Sequence, residues 1–119
     1  VIIEPLVQGA SGMKMHTPKQ LQEIASVCRE FGVYLIFDEV MTAFRTGTYW
    51  AYQQAHNVTP DLICLSKTLT GGILPLAVTL AAPEVVHHFD TEDRSKSLFH
   101  GHSFTGNPLA CAVAAKNLH

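Results

Sequence analysis

The stretch LIFDEVMTAFRTG, residues 35–47, runs an apolar segment straight into two adjacent acids and then into a turn containing Thr46 and Gly47. With Val33 and Tyr34 ahead of it the apolar run is continuous, which is how a strand covered on both faces of a parallel sheet reads. Upstream, Thr17, Pro18 and Gln20 form an N-cap, a first-position proline and a capping-box partner, and Gly32 supplies the stop. Between them Leu21, Ile24, Ala25, Cys28 and Phe31 fall on one helical face. Before that helix, residues 1–3 read as a short strand and residues 4–16 as a loop. After residue 47 the reading is a helix over 49–56, a buried strand over 61–66 and a strand over 76–82. That last strand follows too soon for a crossover helix and must be antiparallel. A short helix over 83–89, an exposed polar loop over 90–97 and a helix over 107–118, capped by Asn107 with Pro108 first, complete the chain. The order predicts an α/β fold, a mostly parallel sheet with one antiparallel strand and helices on both faces.

With 119 residues, 47% of them apolar and 15% charged, the chain can fill a sizeable core. A net charge of -2 gives no footprint for nucleic acid or an anionic membrane surface. Small-molecule chemistry is the expectation. Cys28, Cys64 and Cys111 stand apart in apolar contexts, which fits buried thiols and a reducing, cytoplasmic setting. No apolar run is long enough to span a membrane. The opening VIIEP enters a strand with no preceding turn and the final residues stop within a helical pattern, so a piece of a longer chain is expected.

In an open parallel sheet, ligands bind beyond the carboxyl ends of the strands, where Asp38, Glu39 and Lys67 fall. Asp38 ends one strand and Lys67 follows the next, so an acid and an amine can stand either side of a flat ring. A strand-end acid is otherwise a solvated cap, and Glu39, pointing to the opposite face from Asp38, reads as the more ordinary of the two. Lys67 could be a surface lysine, yet it sits between a buried strand and Gly71-Gly72; a lysine in a partly dry site loses its proton more readily and attacks carbonyls. His87-His88 and His100-x-His102 lack a second ligand pair at a diagnostic spacing, so no metal site is assigned. Tyr34, Phe37, Tyr49 and Trp50 read as core, and Glu4 as either a supporting acid or a loop ion pair.

LIFDEVMTAFRTG, PDLICLSKTLTGGILPLAVTL (60–80) and HGHSFTGNPLACAVA (100–114) resemble, in order and spacing, the large domain of class III, fold type I, pyridoxal-phosphate-dependent aminotransferases. The resemblance covers nearly all of residues 1–119 and implies a part of the cofactor-binding large domain, incomplete at both ends. It implies that Lys67 bonds to the cofactor aldehyde and later moves the substrate proton, and that Asp38 keeps the pyridine nitrogen protonated. Val40 would pack on one ring face. Ser103 stands where the family often has Thr and would reach the cofactor phosphate of a neighbouring subunit, which makes a homodimer necessary. Gly101 and His102 would line the same wall, Gly101 near the substrate.

The last two segments are most similar to the members that use S-adenosylmethionine to aminate 8-amino-7-oxononanoate in biotin synthesis. Many relatives carry TGFGRTG where this chain has TAFRTG (42–47), one glycine shorter. Members that use glutamate carry a Glu after the Gln-Gly that follows their EP, where this chain has Ala10, so the resemblance favours a donor other than a dicarboxylate. An ω-amino acid:pyruvate aminotransferase and an aminomutase compete within the family. Outside it, Asp38-Glu39 after an apolar strand fits the Mg²⁺-holding acids of a P-loop ATPase, a reading that gives Lys67 and residues 100–114 no task. A non-catalytic relative would have no need of both Asp38 and Lys67.

Overall fold

The computed structural model describes all 119 residues. Strand β1 (Ile2–Ile3) leads into a small antiparallel ribbon of β2 (Val7–Gln8) and β3 (Lys14–Met15), and then into helix α1 (Pro18–Glu30). Strand β4 (Ile36–Asp38), a 3₁₀ turn (Ala51–Gln54), strand β5 (Leu62–Leu65) and a second 3₁₀ turn (Lys67–Thr70) follow. Strand β6 (Val78–Ala81), helix α2 (Pro83–Val86), a third 3₁₀ turn (Arg94–Lys96) and helix α3 (Pro108–Asn117) complete the order. The main sheet runs β1-β4-β5-β6. β1 pairs parallel with β4 and β4 with β5, while β6 returns antiparallel along β5, as the short connection requires.

Helix α1 starts as its sequence dictates. Gln20 N–H donates to Thr17 Oγ1, and Thr17 N–H donates to Gln20 Oε1, so two otherwise orphaned donors are satisfied. Its Leu21, Ala25 and Cys28 pack with Leu35, Phe37, Ala55 and Val58 in one cluster, with Ile3, Ile24 and Tyr52 on its margin. A second cluster joins Ala43, Leu65, Leu69 and Ala114, so α3 closes on the end of β5 and the turn after it. No helix is long and apolar enough to cross a membrane.

Several local expectations are corrected. Residues 4–16 are not all loop: Val7 pairs with Met15 and Gln8 with Lys14, the connection passing through left-handed Gly12 and Met13. The strand after α1 opens at Ile36, not Val33, because the Leu35 N–H is taken by the Asp61 carboxylate at 2.7 Å, and Tyr34 is exposed. Residues 49–56 form a single 3₁₀ turn instead of an α-helix; Ala55 N–H bonds back to the Tyr52 carbonyl, and left-handed Asn57 then turns the chain away. Phe31 is 71% exposed because it is the C-cap residue, where the chain has left the helical stripe. Cys28 is buried as expected, whereas Cys64 is half-buried and Cys111 exposed. Tyr49 is exposed, its ring edge-on to Phe44, and Trp50 is half-buried.

Phe37 and Phe31 therefore differ in consequence. Phe37→Ala is expected to cost about 3–5 kcal/mol, read from the urea-unfolding midpoint, because it leaves a cavity beside Tyr52 in the closed cluster. Phe31→Ala should change stability by about 0.5 kcal/mol or less; similar losses for both would contradict this packing.

Candidate active site

β4 and β5 are hydrogen-bonded parallel neighbours with Asp38 opposite Cys64, so Asp38 and Lys67 both emerge at the carboxyl end of the sheet. Asp38 is half-buried. Its Oδ1 accepts the Val40 N–H at 3.0 Å, an Asx-type turn that fixes the side chain, and Oδ2 has no protein partner. The Asn107-capped α3 brings residues 100–107 toward the segment that follows Lys67.

Lys67 is exposed and its ammonium makes no ion pair or hydrogen bond, which corrects the expectation of a partly dry setting within these residues. Its backbone is the unusual feature. Lys67 has φ +40°, a left-handed conformation that costs a side-chain-bearing residue about 1–2 kcal/mol. Strain of this kind persists where the surroundings over-determine it. Here Ser66 Oγ donates to the Leu76 carbonyl at 2.7 Å and Thr70 Oγ1 to the Leu74 carbonyl at 2.5 Å, while Gly71 (φ +61°) reverses the chain.

Glu39 is the residue that sequence reasoning undervalued. It is 0% exposed, and its carboxylate accepts the Thr42 hydroxyl at 2.5 Å, the Ala51 N–H at 3.0 Å and the Tyr52 N–H at 3.0 Å. With three protein donors on its two oxygens and no exposed surface, Glu39 is a scaffold acid out of reach of a hydrated Mg²⁺, which counts against the ATPase reading of Asp38-Glu39. Glu4 is neither an ion-pair partner nor free, since its Oε2 accepts the Gly9 N–H at 2.9 Å. No group of three or more His, Cys, Asp or Glu side chains converges as a metal site would need.

A cavity of about 570 Å³ is lined by Ser66, Leu74–Ala77, His102, Phe104–Asn107 and Ala110. Asp38 opens instead on a shallower cavity of about 300 Å³ shared with Ile3, Glu4, Gln8 and Ser11. Of the expected site residues, then, His102 and the residue before Lys67 share one hollow, and Asp38 lies at another. Val40 is half-buried beside Asp38, while Gly101 and Ser103 are exposed on the segment that carries His102. His102 N–H donates to Thr105 Oγ1 at 2.9 Å and its Nδ1 accepts the Phe104 N–H at 3.1 Å, which shapes a compact turn ahead of α3.

A half-buried acid with an unpartnered oxygen thus ends one strand, and an unpaired amine follows its parallel neighbour. The family model for class III aminotransferases matches residues 1–119, and the chain belongs to that family. It is 52% identical over 119 residues to the adenosylmethionine-8-amino-7-oxononanoate aminotransferase of Synechococcus elongatus, covering 99% of this chain and 28% of that protein. Among solved structures, an (S)-enantioselective omega-transaminase from Thermomicrobium roseum superposes with a TM-score of 0.90 at 41% identity. An amine transaminase from an uncultivated Pseudomonas species, in its PLP-bound form, gives 0.89 at 35%. Each structural match covers 98% of this chain and 26% of the other. The chain thus spans little more than a quarter of the length of the relatives it matches.

Tyr52 gives this region a pH signature. Burial first, and the negative charge of Glu39 second, push its phenol above the usual range. The folded state therefore holds the Tyr52 proton more tightly than the unfolded chain does. That contribution is present in full below the ordinary phenol pKa of about 10 and is lost as pH rises through the higher folded value. Tyr52→Phe should flatten the alkaline fall in unfolding midpoint between about pH 9 and 11; parallel falls in both proteins would refute the assignment.

Proposed function

We propose that the complete protein is a pyridoxal-phosphate-dependent aminotransferase that moves the amino group of S-adenosylmethionine to 8-amino-7-oxononanoate, giving 7,8-diaminononanoate for biotin synthesis. The observation that carries this reading is the 52% identity, over the whole of this chain, to a relative named for that reaction. Ala10 supports a donor that is not a dicarboxylate.

The side chains suit the cofactor by their donor chemistry. Asp38 offers one free carboxylate oxygen to a ring N–H, and Lys67 offers an amine with no competing partner. When bound, pyridoxal phosphate supplies an aldehyde carbon that amines attack and a ring that withdraws electrons. Asp38 Oδ2 would keep the ring nitrogen protonated, since a carboxylate beside an N–H favours its charged form. Lys67 Nζ would hold the aldehyde end of the cofactor and would move the proton at the substrate carbon. Val40 would pack on a ring face, Gly101 and His102 would wall the substrate side, and the Ser103 hydroxyl and N–H would hold the phosphate of a partner subunit in a homodimer. The likeness to the Thermomicrobium omega-transaminase favours a second reading, in which a simpler amine and pyruvate are the substrates.

The purified protein should absorb violet light and appear yellow, and borohydride should bleach it and leave a cofactor adduct on Lys67. Lys67→Ala should abolish the adduct, and Asp38→Asn should lower turnover by about 10² or more, as expected when the wrong charge state of a cofactor nitrogen is presented. Incubation with S-adenosylmethionine and 8-amino-7-oxononanoate should give diaminononanoate, detected by mass. Turnover of a simple amine with pyruvate in its place would select the second reading. A colourless protein without an adduct would end both and leave a non-catalytic relative.

A further inference from the structure

Helix α3 ends on Asn117, and its side-chain amide reaches the turn that carries Lys67. Asn117 Nδ2 donates to the Thr68 carbonyl at 2.8 Å and to the Leu69 carbonyl at 3.2 Å, some fifty positions back along the chain. A Cβ on left-handed Gly71 would come within 3.4 Å of Asn117 Oδ1, so the same amide also lies against the turn's exit. The Thr68 hydroxyl accepts Arg45 Nε at 2.6 Å from the loop that follows Asp38. Residue 68 is thus gripped on its carbonyl by α3 and on its hydroxyl by the Asp38 loop, immediately after the strained Lys67 backbone.

We infer that Asn117 is a positioning residue: its amide holds the Thr68 and Leu69 carbonyls, and so fixes the left-handed backbone of Lys67 and the direction in which its amine leaves the sheet. An isolated Lys with positive φ relaxes toward ordinary backbone angles unless its neighbours are held. The internal bonds of the turn, Leu69 N–H to the Ser66 carbonyl and Gly71 N–H to the Thr68 carbonyl, close it but tie it to nothing else. Asn117 anchors it to a helix whose other end, capped by Asn107, stands at the cavity with His102. This deepens the aminotransferase reading and rests on it for the task of the amine.

The test uses the complete protein freed of cofactor, with Asn117→Ala and the nearly isosteric Asn117→Asp, which loses the donor and keeps the shape. Two quantities are read: amide exchange at Leu69 and Gly71, and the rate at which added pyridoxal phosphate gives a borohydride-trapped adduct on Lys67. Both variants should speed exchange at Leu69 and Gly71 and slow adduct formation, each about tenfold, the scale of one lost hydrogen bond. Exchange at Cys111, bonded to the Asn107 carbonyl inside α3, should stay unchanged and reports that the helix still folds. Faster exchange with an unchanged adduct rate would reduce Asn117 to packing and overturn the inference, as would no change in either. If the unsubstituted protein forms no Lys67 adduct, the aminotransferase reading itself falls; exchange at Leu69 and Gly71 then shows separately whether Asn117 holds the turn.

Discussion

A carboxylate removed from water must find donors, and the carboxyl end of this sheet is arranged around that requirement at Glu39. Its oxygens draw in the Thr42 hydroxyl and the N–H groups of Ala51 and Tyr52. One side chain thereby folds the long connection after β4 back on itself. The connection turns a helix-like segment into a 3₁₀ turn, seats Tyr52 against Phe37 at 5.3 Å and leaves Asp38, the neighbouring acid, facing elsewhere with an oxygen to spare. The two acids divide the labour: one is consumed by the scaffold so that the other is available.

Local signals were legible in the residues. The Thr17–Gln20 capping box, the Asn107 cap and the antiparallel return of β6 depend on near neighbours or on loop length, and the sequence states those directly. Alternation along β4 also separates Asp38 from Glu39 correctly. It could not show that the Glu39 side would be sealed, because the groups that seal it lie twelve and thirteen residues further on. The β2–β3 ribbon escaped notice because two-residue strands in a Gly-containing stretch leave no periodicity to find. Asn117 escaped for a similar reason: a polar residue in a last helical turn looks like an ordinary terminus, and its partners are some fifty residues away.

The candidate site is only partly assembled by this chain. Asp38 and the Ser66–His102 hollow occupy separate cavities, and Gly101 and Ser103 stand exposed. That agrees with a chain spanning 28% of its Synechococcus relative. What these residues do supply is the rigid part: two strand ends held in register, with an acid on one and an amine beyond the other.

The left-handed angle at Lys67 has a corollary. Glycine would sit there without a steric penalty but with a larger loss of chain entropy on folding, so the position sets backbone ease against a side chain that carries an amine. Residue 67 is therefore a place where the backbone is strained and a side chain is kept.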